Sequence, residues 1–228
     1  DVCSSDLDIE TVPLHSEFSK VSGDMQKLWE KKSQQISKDD STPESIYRQA
    51  GIYAEFGKII CISCGFITAE NKFRIKSFAG DDEKNLLAEF SSMLNKFFSA
   101  PNKQLCAHNG KEFDFPFLSR RMVINGIKLP PVLDNAGKKP WEVNHLDTME
   151  LWKFGDYKSY TSLLLLATVL GIPTPKDDID GSMVWEVYWK EKNLPRIVTY
   201  CQKDVLTVAQ IFLRFRGEPL LSEERVEI

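Results

Sequence analysis

The sequence predicts an α/β fold, a mixed central β-sheet flanked by helices, and three observations predict it. Short apolar runs such as KIICISCGFI (58–67) and QLCA (104–107) have the length and the Ile, Cys and Phe content of buried strands. Other segments carry apolar residues at every third or fourth position, the mark of amphipathic helices. The two kinds interleave along 228 residues, 42% of them hydrophobic, which is enough for one substantial core between sheet and helices.

The first element is SSDLDIETVP (4–13), a strand in which Asp6, Asp8 and Glu10 alternate with Leu7 and Ile9 and which stops at Pro13. Side chains two apart on a strand share a face, so these carboxylates crowd one another unless cations or protons neutralise them. Residues 14–50, with QQISKDDSTPES at their centre, read as a long polar insertion that is helical around Met25 to Lys32. KIICISCGFI and KFRIKSF (72–78) then form a hairpin through Thr68–Asn71. Leu86, Leu87, Phe90, Met93, Leu94, Phe97 and Phe98 place a helix over 82–99. QLCAHNG (104–110) is a strand running into a turn, and FDFPFLSRRMVING (113–126) a helix ending near Asn125-Gly126. VNHLDTMELWKFG (143–155) suggests a strand and a short helix capped by Asp147 or Thr148. An apolar helix from Thr161 to Leu170 is closed by Gly171 and Pro173. The last helix, 194–215, has Ile197, Cys201, Val205, Val208 and Phe212 on its buried stripe.

Composition narrows the function classes. No apolar run reaches the roughly 20 residues of a membrane span and no signal peptide opens the chain, so the expectation is a soluble cytoplasmic protein. Cys3, Cys61, Cys64, Cys106 and Cys201 are scattered and odd in number, and Cys61-x-x-Cys64 has no second Cys or His pair to complete a zinc site, so they are expected as small core residues. A net charge of −4 lacks the bulk basic footprint of a duplex-DNA binder. The first seven residues, DVCSSDL, resemble translated adapter read-through, which would make residues 1–7 a foreign leader and Asp6 dispensable.

Three separated places carry acids that invite joint explanation: Asp8-x-Glu10 on the first strand, Asp114 at a helix start, and Asp204 on the last helix one turn after Tyr200. Singly, each has an ordinary reading: Glu10 as a strand-end acid facing water, Asp114 as a first-turn acid, Tyr200 as a core residue with its hydroxyl satisfied. Asp147 is explained as a helix cap. Jointly, four carboxylates suit two divalent ions about 4 Å apart, a pair that clamps the attacking and leaving oxygens of a phosphoryl transfer. An all-oxygen set suits Mg²⁺ or Mn²⁺, and His15, His108 and His145 share no ligand spacing.

DIETVP (8–13), NGKEFD (109–114) and YCQKD (200–204) resemble the three motifs of the DEDD exonuclease superfamily in its tyrosine-bearing branch. FGKIICISCGF, HLDTMELWKFGD, LATVLGIPTPK and DVLTVAQIFLRF are similar to the predicted 3′-to-5′ exonucleases related to the proofreading domain of family-B DNA polymerases. The histidine branch has H-x4-D, whereas Thr199 stands five residues before Asp204. The resemblance covers nearly the whole chain. It implies an RNase H-like fold and a two-metal 3′-to-5′ exonuclease acting on single-stranded DNA, with Asp8 bridging both metals, Glu10 and Asp204 completing one, Asp114 serving the second, and Tyr200 positioning the water. RNase D-like action on RNA and a non-catalytic nucleic-acid-binding module with the same fold stand as alternatives. Substrate contacts are expected from Asn109, Phe113 and Lys176, and from one or two of the aromatics between Trp152 and Tyr160. No polymerase palm or fingers follow in the sequence, so a proofreading or repair role would need a partner.

Overall fold

The computed structural model describes residues 4–37, 41–70, 72–98, 103–156, 160–173 and 179–228. Lys176, expected above as a substrate contact, and Tyr157, one of the aromatics between Trp152 and Tyr160, lie outside the described residues. Six strands form one sheet: β1 (Ser4–Pro13), β2 (Gly57–Ile67), β3 (Phe73–Ala79), β4 (Gln104–Ala107), β5 (Leu146–Asp147) and β6 (Val226–Glu227), in the order β5-β4-β1-β2-β3-β6. β1, β2 and β3 are antiparallel neighbours, whereas β4 runs parallel to β1 and β5 parallel to β4, so the sheet is mixed. β2 is central and buried on both faces from Ile59 to Gly65, which is why it reads as a continuous apolar run. At Gly65 a Cβ would stand 2.3 Å from the ring of Phe73, so glycine is what lets that ring lie across the strand.

Helices cover both faces. On one, α2 (Glu83–Phe97) and α3 (Asp114–Ile124) bury Leu86, Leu87, Phe90, Leu94, Phe117, Leu118 and Met122 against Leu7, Ile9, Ile62 and Phe78. Each such side chain contributes about 1.5–3 kcal/mol. Asp82 caps α2 by accepting the Asn85 N–H at 3.1 Å. On the other face lies α7 (Leu194–Phe215), with Ile197, Cys201 and Val205 buried on the sheet, Val208 also buried and Phe212 half-buried. Between α3 and α7 come α4 (Thr148–Trp152), α5 (Leu163–Val169) and α6 (Val184–Glu186), the last running into a π-helical turn, Val187–Glu191. Cys61, Cys64, Cys106 and Cys201 are buried free thiols, as expected.

A buried ion pair ties α2 to α3. The Arg121 guanidinium donates to both Glu83 carboxylate oxygens and to the Ala54 carbonyl, while Glu83 also accepts from Ile59 N–H and Asn125 Nδ2. Each guanidinium nitrogen and each carboxylate oxygen there has a hydrogen-bond partner, which is what makes a charge pair tolerable at 5% and 8% side-chain exposure.

The polar insertion has a core of its own. α1 (Gly23–Ile36) extends beyond the expected 25–32 and sets Trp29 among Phe18, Tyr47, Tyr53 and Phe56, with its indole N–H on the Pro43 carbonyl at 2.9 Å. These aromatics are too widely spaced in a polar background to show periodicity. Residues 4–7 take full part in the sheet: Ser4, Ser5 and Asp6 pair with Gln104, Leu105 and Cys106, and Leu7 is wholly buried.

Candidate active site

β1 turns its acids toward α7. Its Leu7 and Ile9 pack with α2 and α3, so the alternation that buries them sends Asp8 and Glu10 to the opposite face, where Cys201 donates its S–H to the Asp8 carbonyl at 3.5 Å. The register passes from Glu10–Cys61 to Thr11–Ile59 and skips Ile60, a bulge immediately beside the acids. α7 contributes Tyr200 and Asp204, one turn apart, and the Tyr200 hydroxyl donates to the Asp204 carboxylate.

Asp114 arrives from a tight turn. Asn109 takes the left-handed conformation at φ 61°, and a Cβ on Gly110 would fall 2.4 Å from that of Ala107. The chain thereby folds back so that Asp114 opens α3, is 4% exposed, and accepts the Ile9 N–H at 3.2 Å. The four acids of the sequence reading and Tyr200 thus line a single cleft of about 770 Å³, together with Asn109 and Phe113. A larger and more apolar hollow of about 920 Å³, against α3 and the segment that follows it, contains none of the four acids.

Burial and mutual repulsion dominate the electrostatics. Desolvation first, then Glu10, Asp204 and Asp114, push the Asp8 carboxyl well above its ordinary range. Glu10 is raised in the same way, by burial and then chiefly by Asp204. Burial lifts Asp114 to about 7 against the opposing pull of backbone N–H groups. Asp8 Oδ2 is buried without a hydrogen-bond partner, and carboxylate oxygens of Asp8 and Glu10 lie within 4.8 Å of each other and of Cys201 Sγ. Burial pushes the Cys201 thiol well up, leaving carboxylate oxygens as the donors that fit a hard divalent cation.

This arrangement predicts a pH dependence. Asp114, and Asp6 which burial also raises to about 7, keep protons in the folded state that they release near pH 4 when unfolded. Their contribution to stability is present below about pH 4 and is lost as pH rises through about 7. Metal-free protein should therefore melt lower at pH 8 than at pH 5, and millimolar Mn²⁺ should raise the melting temperature at pH 8 with little effect at pH 5. Thermal scans that show Mn²⁺ without effect at pH 8 would contradict this.

Asp147 does more than cap α4. Its Oδ1 accepts from Met149 and Glu150 N–H as a cap should, and also from Asn109 N–H at 3.0 Å, while Oδ2 takes Lys111 N–H at 3.1 Å. It therefore holds the turn that delivers Asp114. His108, in the same turn, bonds Thr161 O through Nε2 and Thr148 Oγ1 through Nδ1, both at 2.8 Å. A carbonyl only accepts, so Nε2 carries the hydrogen, and burial keeps the ring neutral by lowering its pKa.

Asn109 combines a turn role with a buried Oδ1 that has no partner. Phe113 is half-buried and packs on Phe117 at 5.4 Å between centroids. Trp152 packs on Phe154 and Phe215, away from the cleft, whereas Tyr160 is 72% exposed and lines it. Asp6 sits deeper, hydrogen-bonded to Cys106. The sequence reading missed Arg48 and Trp185, which stand in the same cleft. Arg48 is one cation within a polar insertion and Trp185 one aromatic in an unpredicted turn, so neither carries a spacing signal.

Residues 52–223 match the family model described as predicted 3′-5′ exonuclease related to the exonuclease domain of PolB. The chain belongs to this family of exonucleases. The matched span of this exonuclease holds Asp114, Tyr200 and Asp204, and β1 pairing with β2 brings Asp8 and Glu10 to them from outside it. Among solved structures, the family B DNA polymerase of the hyperthermophilic archaeon Pyrobaculum calidifontis aligns over 94% of this chain at 15% identity and a TM-score of 0.56, which shows an RNase H-like fold. The chain spans 24% of that polymerase's length. E. coli exonuclease I in complex with a dT13 oligonucleotide aligns over 66% of this chain and 41% of its own, at 13% identity and a TM-score of 0.39. A search of curated proteins gives no match. No helix among the described residues is long and apolar enough to cross a membrane.

Proposed function

We propose that this exonuclease shortens single-stranded DNA from its 3′ end by a two-metal hydrolysis, with Asp8, Glu10, Asp114 and Asp204 holding two Mg²⁺ or Mn²⁺ ions. The observation that carries the proposal is the convergence in one cleft of four carboxylates from β1, α3 and α7, three of them with raised proton affinity. When bound, such ions supply the positive charge that relieves the repulsion and stabilises the attacking and leaving oxygens. Asp8 is repelled by all three other acids, so it would gain from a cation held among them.

The residues around the acids have separate work. Burial and the neighbouring carboxylates keep the Tyr200 phenol protonated, with its one hydrogen on Asp204, so it would not act as a base and its oxygen would orient water by accepting a hydrogen bond from it. Asn109 Oδ1 would accept from the sugar of the terminal nucleotide, and the Phe113 ring would stack on its base. Water adds to phosphorus as the P–O3′ bond breaks, the departing oxygen takes up a proton, and a nucleoside 5′-monophosphate leaves. The preference for DNA rests on the kinship to the exonuclease domain of a DNA polymerase.

Tyr200→Phe should slow cleavage about 10- to 100-fold without stopping it, since only the positioning of water is lost. Single-turnover rates check this, and an unchanged rate would remove Tyr200 from the mechanism. Purified protein given matched DNA and RNA strands, each 5′-labelled and with free or blocked 3′ ends, should shorten the free-ended DNA fastest. Faster shortening of RNA would move the substrate assignment, and cleavage of neither would return the protein to a binding role.

A further inference from the structure

The cleft has a second wall that neither the acids nor the family match explains. It is made by the 3₁₀ turn Tyr47–Ile52 at the end of the insertion and by Trp185 on α6. The turn is anchored from both sides. Tyr47 and Ala50 are buried in the insertion's core, with the Tyr47 ring edge-on to Trp29 at 5.7 Å. Gly51 lies flat against the end of β1, where an added Cβ would come within 3.1 Å of Pro13 Cδ. Pro13 is three residues past Glu10, so the turn is fixed in register with the acids.

From this turn Arg48 projects, exposed, with its guanidinium carbon 4.0 Å from the centre of the Trp185 ring. Stacking uses the flat face of a guanidinium and leaves its in-plane N–H groups pointing outward. Among the described residues none accepts a hydrogen bond from Arg48, and among those lining the cleft Arg48 is the one Lys or Arg, facing four carboxylates. Two bound divalent ions would answer the charge at the scissile phosphate. The phosphates further along the same strand would still enter an acidic cleft, and Arg48 is the group placed to receive them.

Resting on the nuclease reading above, we infer that Arg48, propped on Trp185, grips a backbone phosphate upstream of the scissile bond. Recognition there is of the phosphodiester chain and not of base sequence. It favours substrates of several nucleotides over dinucleotides, which are too short to reach it. Arg48 is a substrate-binding residue on this account, and Trp185 a positioning residue that acts through it.

The test compares a ten-nucleotide strand with a dinucleotide under Mn²⁺. Losing one charge-assisted contact, Arg48→Ala should raise KM for the ten-nucleotide strand about tenfold, with kcat little changed. KM for the dinucleotide should stay within about twofold, and the salt slope of binding to the long strand, measured by anisotropy in Ca²⁺, should flatten by about 0.7. Arg48→Lys should recover part of the loss because charge remains without the planar stack. Trp185→Ala should weaken the long strand only, and Trp185→Phe should restore it. Equal KM for the long strand in wild type and Arg48→Ala, or an equal loss on both substrates, overturns the inference and leaves the nuclease reading standing. Wild-type protein that neither binds nor cuts any strand overturns both.

Discussion

Asp8→Asn is expected to lower the rate of 3′-end shortening by at least about 10³-fold while raising the melting temperature of the metal-free protein at pH 8. Both effects follow from one placement. Asp8 feels Glu10, Asp204 and Asp114 together, and its Oδ2 is buried without a partner. On the proposed two-metal reading Asp8 would hold the cations together with Glu10, Asp114 and Asp204, so its loss should cost the charge that stabilises the reacting oxygens. In the absence of cations the same carboxylate is a liability. Replacing it with an uncharged amide of similar shape removes repulsion and desolvation together, by roughly 1 kcal/mol or about 2–4 °C for a chain of this size. Single-turnover cleavage and thermal scans on one preparation check both halves. A variant that is inactive because it is less stable would contradict the account, since the melting temperature would then move down.

Arg121→Ala should cost about 3–5 kcal/mol of stability, because it strands the Glu83 carboxylate inside the protein with two of its donors gone. Glu83 is 7% exposed and Arg121 4%, and water does not reach the site to replace the guanidinium. The pair also joins the start of α2, the carbonyl of Ala54 and the last turn of α3, the helix whose first residue is Asp114. Loosening this joint should therefore cost activity as well as stability. Removing both partners, as in Glu83→Gln with Arg121→Met, should cost less than Arg121→Ala alone, since no charge is left unpaired. Chemical denaturation of the three proteins checks this, and a loss below about 1 kcal/mol in Arg121→Ala would show the bridge to be incidental.

Much of the candidate site was legible because its chemistry demands particular residue types at element ends. Asp8 and Glu10 alternate on a strand whose other face is Leu7 and Ile9, and Tyr200 and Asp204 share a helix face, so spacing alone oriented them. Asp114 was legible as a helix-start acid, and the turn geometry of Asn109 and Gly110 explains how it turns inward. What escaped was tertiary. Asp147 satisfies a cap and also braces the Asn109 turn, and a sequence shows only the first role. The insertion read only as a polar, partly helical segment because its aromatics Phe18, Trp29 and Tyr47 meet one another, and Tyr53 and Phe56 just beyond it, only when α1 folds back. The π-helical turn after Val184 and the two-residue β6 are too short to leave any periodicity.

The dependence of cleavage on divalent ions tests the central claim most directly. A 5′-labelled single strand incubated with wild-type protein in Mg²⁺ or Mn²⁺ should yield a ladder of products shortened stepwise from the 3′ end. The same mixture in excess chelator should yield none, and restored cation should restart it. Shortening at full rate in excess chelator would contradict the assignment of Asp8, Glu10, Asp114 and Asp204 as metal ligands.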